Sequence, residues 1–76
     1  MSKRAVFISY QNGFFTFLFE SGEEMIFDEV HPRALKQFDL ANDRSLIGKS
    51  FKVVFVEVES SDDEVIYRVE SLKPDE

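Results

Sequence analysis

The sequence predicts a small, mainly β domain, and three observations carry this prediction. Apolar, β-branched and aromatic residues recur in five runs of strand length. Four of the nine phenylalanines fall within the six residues 14–19. Only the segment that begins at Pro32 departs from the strand pattern towards helical spacing. A chain of 76 residues is expected to form one domain, 1–76, with a thin margin of stability.

The first two runs form a predicted β-hairpin. Residues 5–10 favour a strand, and Asn12-Gly13 separates them from the phenylalanine-rich run 14–19. Asn-Gly between two apolar runs indicates a two-residue type I′ turn, because both residues tolerate positive φ. The second run is therefore the returning strand.

This second strand is apolar on both faces. Alternation places Phe15, Phe17 and Phe19 on one face and Phe14, Thr16 and Leu18 on the other. Either the same domain covers both faces, or one of them is an interaction surface. The candidate interaction surface is Phe14, Thr16 and Leu18. Phe14, beside the turn, is the phenylalanine expected to be exposed.

The middle of the chain predicts a third strand and a short helix. Residues 24–30 continue the meander, and Pro32 suits the first turn of a helix, where its missing N–H is not needed. Leu35 and Phe38 would bury one helical face. Asn42 is expected to cap a further turn through residues 45–46.

Two longer strands complete the chain. Residues 51–59 form the fourth predicted strand and residues 64–72 the fifth. In the fifth strand, strict alternation separates the side chains into two sets: Val65, Tyr67 and Val69 against Ile66 and Leu72.

Three strands, a short helix and two strands is the element order of an OB-like five-stranded antiparallel barrel. Inward side chains fill the interior of a small barrel, which would account for the phenylalanines. An SH3-like barrel is the alternative, but its helical turn usually precedes the last strand. The order therefore favours the OB-like fold.

The C-terminal part of the chain resembles a known group of proteins. Residues 46–53, LIGKSFKV, together with residues 66–73, IYRVESLK, are similar to the closing hairpin of small bacterial OB-fold-like β-barrel proteins without an assigned activity. The resemblance covers about a third of the chain. It implies the barrel fold and no activity.

Composition excludes several classes of site. The sequence has no cysteine, so it can form neither disulfides nor thiolate metal sites, and its single histidine cannot build a histidine metal site alone. Residues 5–8 are too short for the apolar core of a signal peptide. We expect a cytoplasmic protein with no membrane segment and no cofactor.

Two clusters could carry chemistry, and both have simpler interpretations. His31 follows Asp28 and Glu29, a pair type that can act as a general base, but no nucleophile stands at a defined spacing. The acidic stretch 62–64 lacks the glycine and ligand spacing of a calcium loop. We interpret both as solvated surface and predict no catalytic residue, no metal ligand and no enzyme activity.

The charge distribution bears on partners. The net charge is −6, but residues 33–52 carry five basic and two acidic groups. The acidic molecule as a whole should repel a polyanion. Because the second strand is apolar on both faces, the sequence predicts a binding or interaction module for an unknown protein partner or a second copy of itself. Weak single-stranded nucleic-acid binding is the alternative, and its candidate residues are Arg33, Lys36, Lys49 and Lys52.

Overall fold

Within the described part of the chain, six strands, one helix and one 3-10 turn make up the fold. The computed structural model describes residues 2–59 and 62–75. The strands are β1 (Ser2–Gln11), β2 (Phe14–Phe19), β3 (Glu24–Phe27), β4 (Glu29–Val30), β5 (Ser50–Glu59) and β6 (Val65–Pro74). The helix α1 (Pro32–Gln37) follows β4, and the 3-10 turn Arg44–Leu46 precedes β5. The predicted mainly β class and the helix at Pro32 are confirmed.

The first hairpin has the predicted turn. Gln11 lies opposite Phe14, so the loop contains two residues. Asn12 has φ 53° and Gly13 has φ 85°, which are the positive values that a type I′ turn requires at both positions.

The sheet has the strand order β3-β2-β1-β5-β6-β4 and is not closed. Adjacent strands in the sheet are antiparallel, except for β4 and β6, which run parallel to each other. The predicted third strand, 24–30, is interrupted at Asp28, so that β3 lies at one edge of the sheet and β4 at the other. Asp is disfavoured within strands, which is consistent with a break there. A closed barrel of five antiparallel strands is therefore not confirmed.

Two irregularities change which side chains face the core. The β1–β2 register shifts between Phe7 and Ser9, and the Tyr10 ring consequently packs on Phe15 with centroids 4.7 Å apart. The β5–β6 register shifts after Val54, so that Glu70 has no residue directly opposite it on β5. Leu72 is therefore buried together with Val69, and the strict alternation predicted for the fifth strand is wrong at Leu72.

The core is built largely from phenylalanine. Phe7, Phe17 and Phe27 are fully buried, and Phe15 and Phe19 are each 6% exposed. Aromatic contacts continue across the strands, with centroids 5.7 Å apart for Phe17 and Phe27 and 5.7 Å for Phe19 and Phe55. The inward face of β2 is thus the face of Phe15, Phe17 and Phe19.

Helix α1 covers one part of this core. Ala34 is buried, while Leu35 and Phe38 are half-buried against the core residues. The Phe38 ring lies 5.1 Å from that of Phe51, near the start of β5. The predicted helical face is confirmed and includes Ala34.

Local side chains cap both helical segments. The Nδ1 atom of His31 accepts a hydrogen bond from the Arg33 N–H at 3.0 Å, and this defines the start of α1. At the 3-10 turn, the Asp43 carboxylate accepts from the Ser45 N–H at 3.0 Å. The cap is Asp43 and not the predicted Asn42, whose side chain donates to Asp39.

Candidate interaction surface

The outer faces of β2 and β3 form one continuous surface. Phe14 is 44% exposed, Leu18 38% and Ile26 56%. Thr16 lies directly opposite Ile26 across the β2–β3 pair. We call Phe14, Thr16, Leu18 and Ile26 the β2–β3 outer face.

The burial of the opposite side of β2 positions this surface. Phe15, Phe17 and Phe19 enter the core, so alternation turns Phe14, Thr16 and Leu18 outward. Ile26 was not among the predicted site residues. Strand alternation indicates that Ile26 faces outward if its neighbour Phe27 faces the core. The position of Ile26 opposite Thr16, however, depends on the strand register.

A shallow cleft of about 330 Å³ lies beside the exposed ring of Phe14. Its lining comes from three strands and the turn: Ser9, Gln11, Asn12, Phe14, Thr16 and Ile26. Hydroxyl, amide and apolar groups therefore meet in one depression. Such a lining suits a side chain of a partner, with polar groups to orient it.

Acidic residues surround the other end of the β2–β3 outer face. Glu24 lies directly opposite Leu18, and Glu20 and Glu23 are exposed in the adjoining turn. The Glu20 carboxylate lies 3.7 Å from the Arg4 guanidinium, and both side chains are largely exposed, so this pair contributes little. The surface as a whole is apolar with an acidic border.

A second, larger cleft of about 700 Å³ lies where β1 begins. Lys3, Arg4 and Lys52 line it together with Glu20 and Glu23. Groups of both signs share this cleft, so it lacks the one-sided charge that a small anion or cation would need.

The four predicted cationic residues lie on separate parts of the fold. Arg33 and Lys36 are exposed on α1, which packs against β6. The Lys49 carbonyl accepts from the Phe7 N–H at 2.9 Å, and Lys52 is exposed on β5. The structure does not show these four side chains as one patch.

Lys52 instead belongs to a row of cations that crosses three strands. It lies opposite Arg4 on β1 and opposite Lys73 on β6. We call Arg4, Lys52 and Lys73 the basic row. Sequence reasoning missed it because its members are far apart in the chain and are joined only by the strand register.

Arg4 is the member of the basic row that is neutralised by described residues. Arg4 lies 3.3 Å from the Asp75 carboxylate as well as near Glu20. Within residues 2–59 and 62–75, the ion pairs involve neither Lys52 nor Lys73. Like charges placed directly opposite each other on a sheet are unfavourable, so this row costs stability unless a partner supplies negative charge.

His31, one of the residues considered for chemistry, has a structural role at the start of α1. His31 caps α1 through Nδ1, and Asp28 and Glu29 are exposed. Within the described residues, no group of three histidine, cysteine or acidic side chains could hold a metal ion. No helix in that part of the chain has the length and apolar character to cross a bilayer.

Comparisons with protein-family models, with curated proteins and with solved structures found no match. The resemblance to small bacterial OB-fold-like barrel proteins therefore stays a prediction.

Proposed function

We propose that this protein is a non-enzymatic, cytoplasmic interaction module whose β2–β3 outer face binds a protein partner. The supporting observation is the grouping of Phe14, Leu18 and Ile26, each at least 38% exposed, beside a cleft. An isolated exposed apolar residue needs no explanation, but a contiguous group with a cleft is typical of an interaction site. Exposed phenylalanine is a good anchor, because it buries a large area with few torsions to fix.

The chemistry of the surface indicates the kind of partner. Its centre is apolar, and Glu20, Glu23 and Glu24 border one end. Charge complementarity favours a segment in which apolar residues are followed by lysine or arginine. The partner's apolar side chain would enter the cleft beside Phe14, and its basic group would lie near Glu24.

We also propose that the fold is an OB-like barrel in which one bent strand joins the two sheet edges. If β3 and β4 count as a single strand bent at Asp28, the pairings form a ring of five strands. The proximity of β3 to β6 supports this view. In an OB-like barrel, the second and third strands form the usual binding face, which is the face proposed here.

Selection from a displayed random-peptide library tests the proposed function. The wild-type domain should enrich peptides that combine apolar with basic residues, and the double variant Phe14→Ser, Ile26→Ser should not. Val56→Ser is the matched control, because Val56 is exposed on the outer face of another strand.

Chemical-shift mapping with an enriched peptide locates the contact. Shifts confined to residues 14–18 and 24–27 would support the proposal. Equal enrichment by the wild type and the double variant, or shifts centred elsewhere, would contradict it.

Single-stranded nucleic-acid binding through Arg33, Lys36, Lys49 and Lys52 is the second candidate. The alignment of Lys52 with two further cations favours it, since each phosphate contact needs a nearby cation. The exposed rings that could stack on bases, Tyr10 and Phe14, lie at the other end of β1. Arg4 and Tyr10 are six residues apart, roughly 20 Å along a strand.

This separation of cations from stacking rings makes nucleic acid the weaker candidate. A fluorescent single-stranded oligonucleotide titrated at low and moderate salt tests it. Absence of binding at low salt would remove it, whereas binding lost in Lys52→Ala would support it.

A further inference from the structure

The β5–β6 hairpin has opposite charges at its two ends. Lys52 and Lys73 lie opposite each other at one end, where β5 begins and β6 ends. Asp63 and Glu64 are exposed at the other end, just before β6. Ten-residue strands span about 33 Å, and the longest dimension of the molecule is 37 Å. The two charged ends therefore lie at opposite extremes of the molecule.

An apolar strip joins the two charged ends. Val54, Val56 and Val58 alternate with the inward residues of β5, and Ile66 lies opposite Val58. Val56 is 37% exposed, and the other three are half-buried. We call Val54, Val56, Val58 and Ile66 the valine strip.

Arg68 borders this strip, and its charge is neutralised. Arg68 lies opposite Val56, and its guanidinium is 2.6 Å from the Glu70 carboxylate. The described pairing of β5 with β1 extends only to Val54, opposite Ser2. Val56 and Val58 lie past this last described pair.

We propose that a second copy of this chain packs on this face, with its hairpin antiparallel to the first. A two-fold axis at Val56 would place Val54 of each copy over Val58 of the other. The same axis would bring the Lys52 and Lys73 end of each copy to the Asp63 and Glu64 end of its partner. Both contacts occur twice, so the surface is self-complementary, as a two-fold dimer requires.

Charge complementarity distinguishes this occupant from others. The two lysines lack an ion-pair partner in the described chain, and they face each other at a cost to the monomer. A second copy supplies the missing negative charge and covers the valine strip at the same time. This surface does not overlap the β2–β3 outer face, so the dimer does not depend on the proposed function.

The dimer should be weak and sensitive to salt. Most of the valine strip is already half-buried in the monomer, so association adds limited apolar burial. The exposed charges act across a surface that salt screens. We expect the dissociation constant to rise by about tenfold or more between low salt and 0.5 M salt, roughly 1.4 kcal/mol per tenfold change.

Sedimentation equilibrium of two charge-reversed variants tests the proposal. The first is Lys52→Glu, Lys73→Glu, which makes both ends acidic. The second is Asp63→Lys, Glu64→Lys, which makes both ends basic. Each variant alone should be monomeric where the wild type dimerises, and an equimolar mixture should form a heterodimer because both contacts regain opposite charges. Thermal unfolding of each variant checks that it is folded.

Three results would overturn the proposal. One is a wild-type protein that stays monomeric at low salt up to millimolar concentration. Another is a mixture that stays monomeric although both variants are folded. The third is a dimer that persists in both charge variants and in Val56→Ser but is lost in Phe14→Ser, Ile26→Ser, since that dimer would use the β2–β3 outer face.

Discussion

The ring of Phe27 lies against the ring of Phe55, with centroids 5.4 Å apart and ring planes at 64°. Phe27 belongs to β3 at the edge of the sheet, and two strands, β2 and β1, separate β3 from β5 in the strand order. A flat sheet would keep these rings about 14 Å apart, at nearly 5 Å per strand. The sheet must therefore curl around its aromatic core.

Removal of one of these rings should strongly reduce the stability of the fold. Phe27→Ala deletes a fully buried ring, and we expect the free energy of unfolding to fall by about 3–5 kcal/mol. This is a large part of the total free energy of unfolding of a small domain. Urea denaturation followed by circular dichroism measures this. Phe14→Ala is the control, because its ring is 44% exposed and its removal should cost much less. Equal losses for the two variants would show that the core is not arranged as described.

The first turn should depend on backbone conformation alone. Gly13 has φ 85°, and a Cβ at this position would meet no atom within 4 Å. Gly13→Ala should therefore lower the free energy of unfolding by about 1–2 kcal/mol, the cost of a left-handed conformation for a residue with a Cβ. Asn12→Gly should be tolerated, since glycine adopts the same region freely. A neutral Gly13→Ala would rule out the two-residue turn.

The start of α1 should depend on an acceptor at position 31. His31→Ala removes the acceptor that caps the Arg33 N–H, and we expect a loss of about 1 kcal/mol in thermal or urea unfolding. His31→Asn should restore most of it, because asparagine presents an oxygen at a similar distance. If asparagine and alanine behave alike, the cap does not contribute to stability.

The basic row should destabilise the isolated monomer. Lys52→Glu replaces the repulsion from Lys73 with an attraction, whereas Arg4 already has Asp75 and Glu20 beside it. The free energy of unfolding should therefore rise by about 0.2–1 kcal/mol at low salt. The gain should shrink at high salt, where surface charges are screened. Lys36→Glu on α1 is the matched control and should have little effect. An unchanged or reduced free energy of unfolding would contradict the claim that the basic row destabilises the monomer.

Local patterns were sufficient for much of this fold. Asn12-Gly13 predicts its turn because both residues favour the φ values that the turn needs. Pro32 predicts the helix start, and the alternation of Phe15, Phe17 and Phe19 predicts the buried face of β2. Each of these depends on neighbours within a few residues.

Features that depend on register could not be read in the same way. The irregularity at Glu70, which brings Leu72 inward, has no local signature. The break at Asp28, which sends β4 to the far edge of the sheet, also depends on distant pairing. Ile26 beside Thr16, and Lys52 between Arg4 and Lys73, become neighbours only once strands are aligned. The sequence therefore identified only some of the residues of the β2–β3 outer face and of the basic row.

The position of β2 between β1 and β3 has a consequence for solubility. A six-residue stretch as rich in phenylalanine as β2 is the kind of segment that stacks into amyloid fibrils when it is free. Here both edges of β2 are hydrogen-bonded, one to β1 and the other to β3, and β3 is only four residues long. Detachment of β3 would release this segment, so fibril formation should begin from molecules that have lost that short strand.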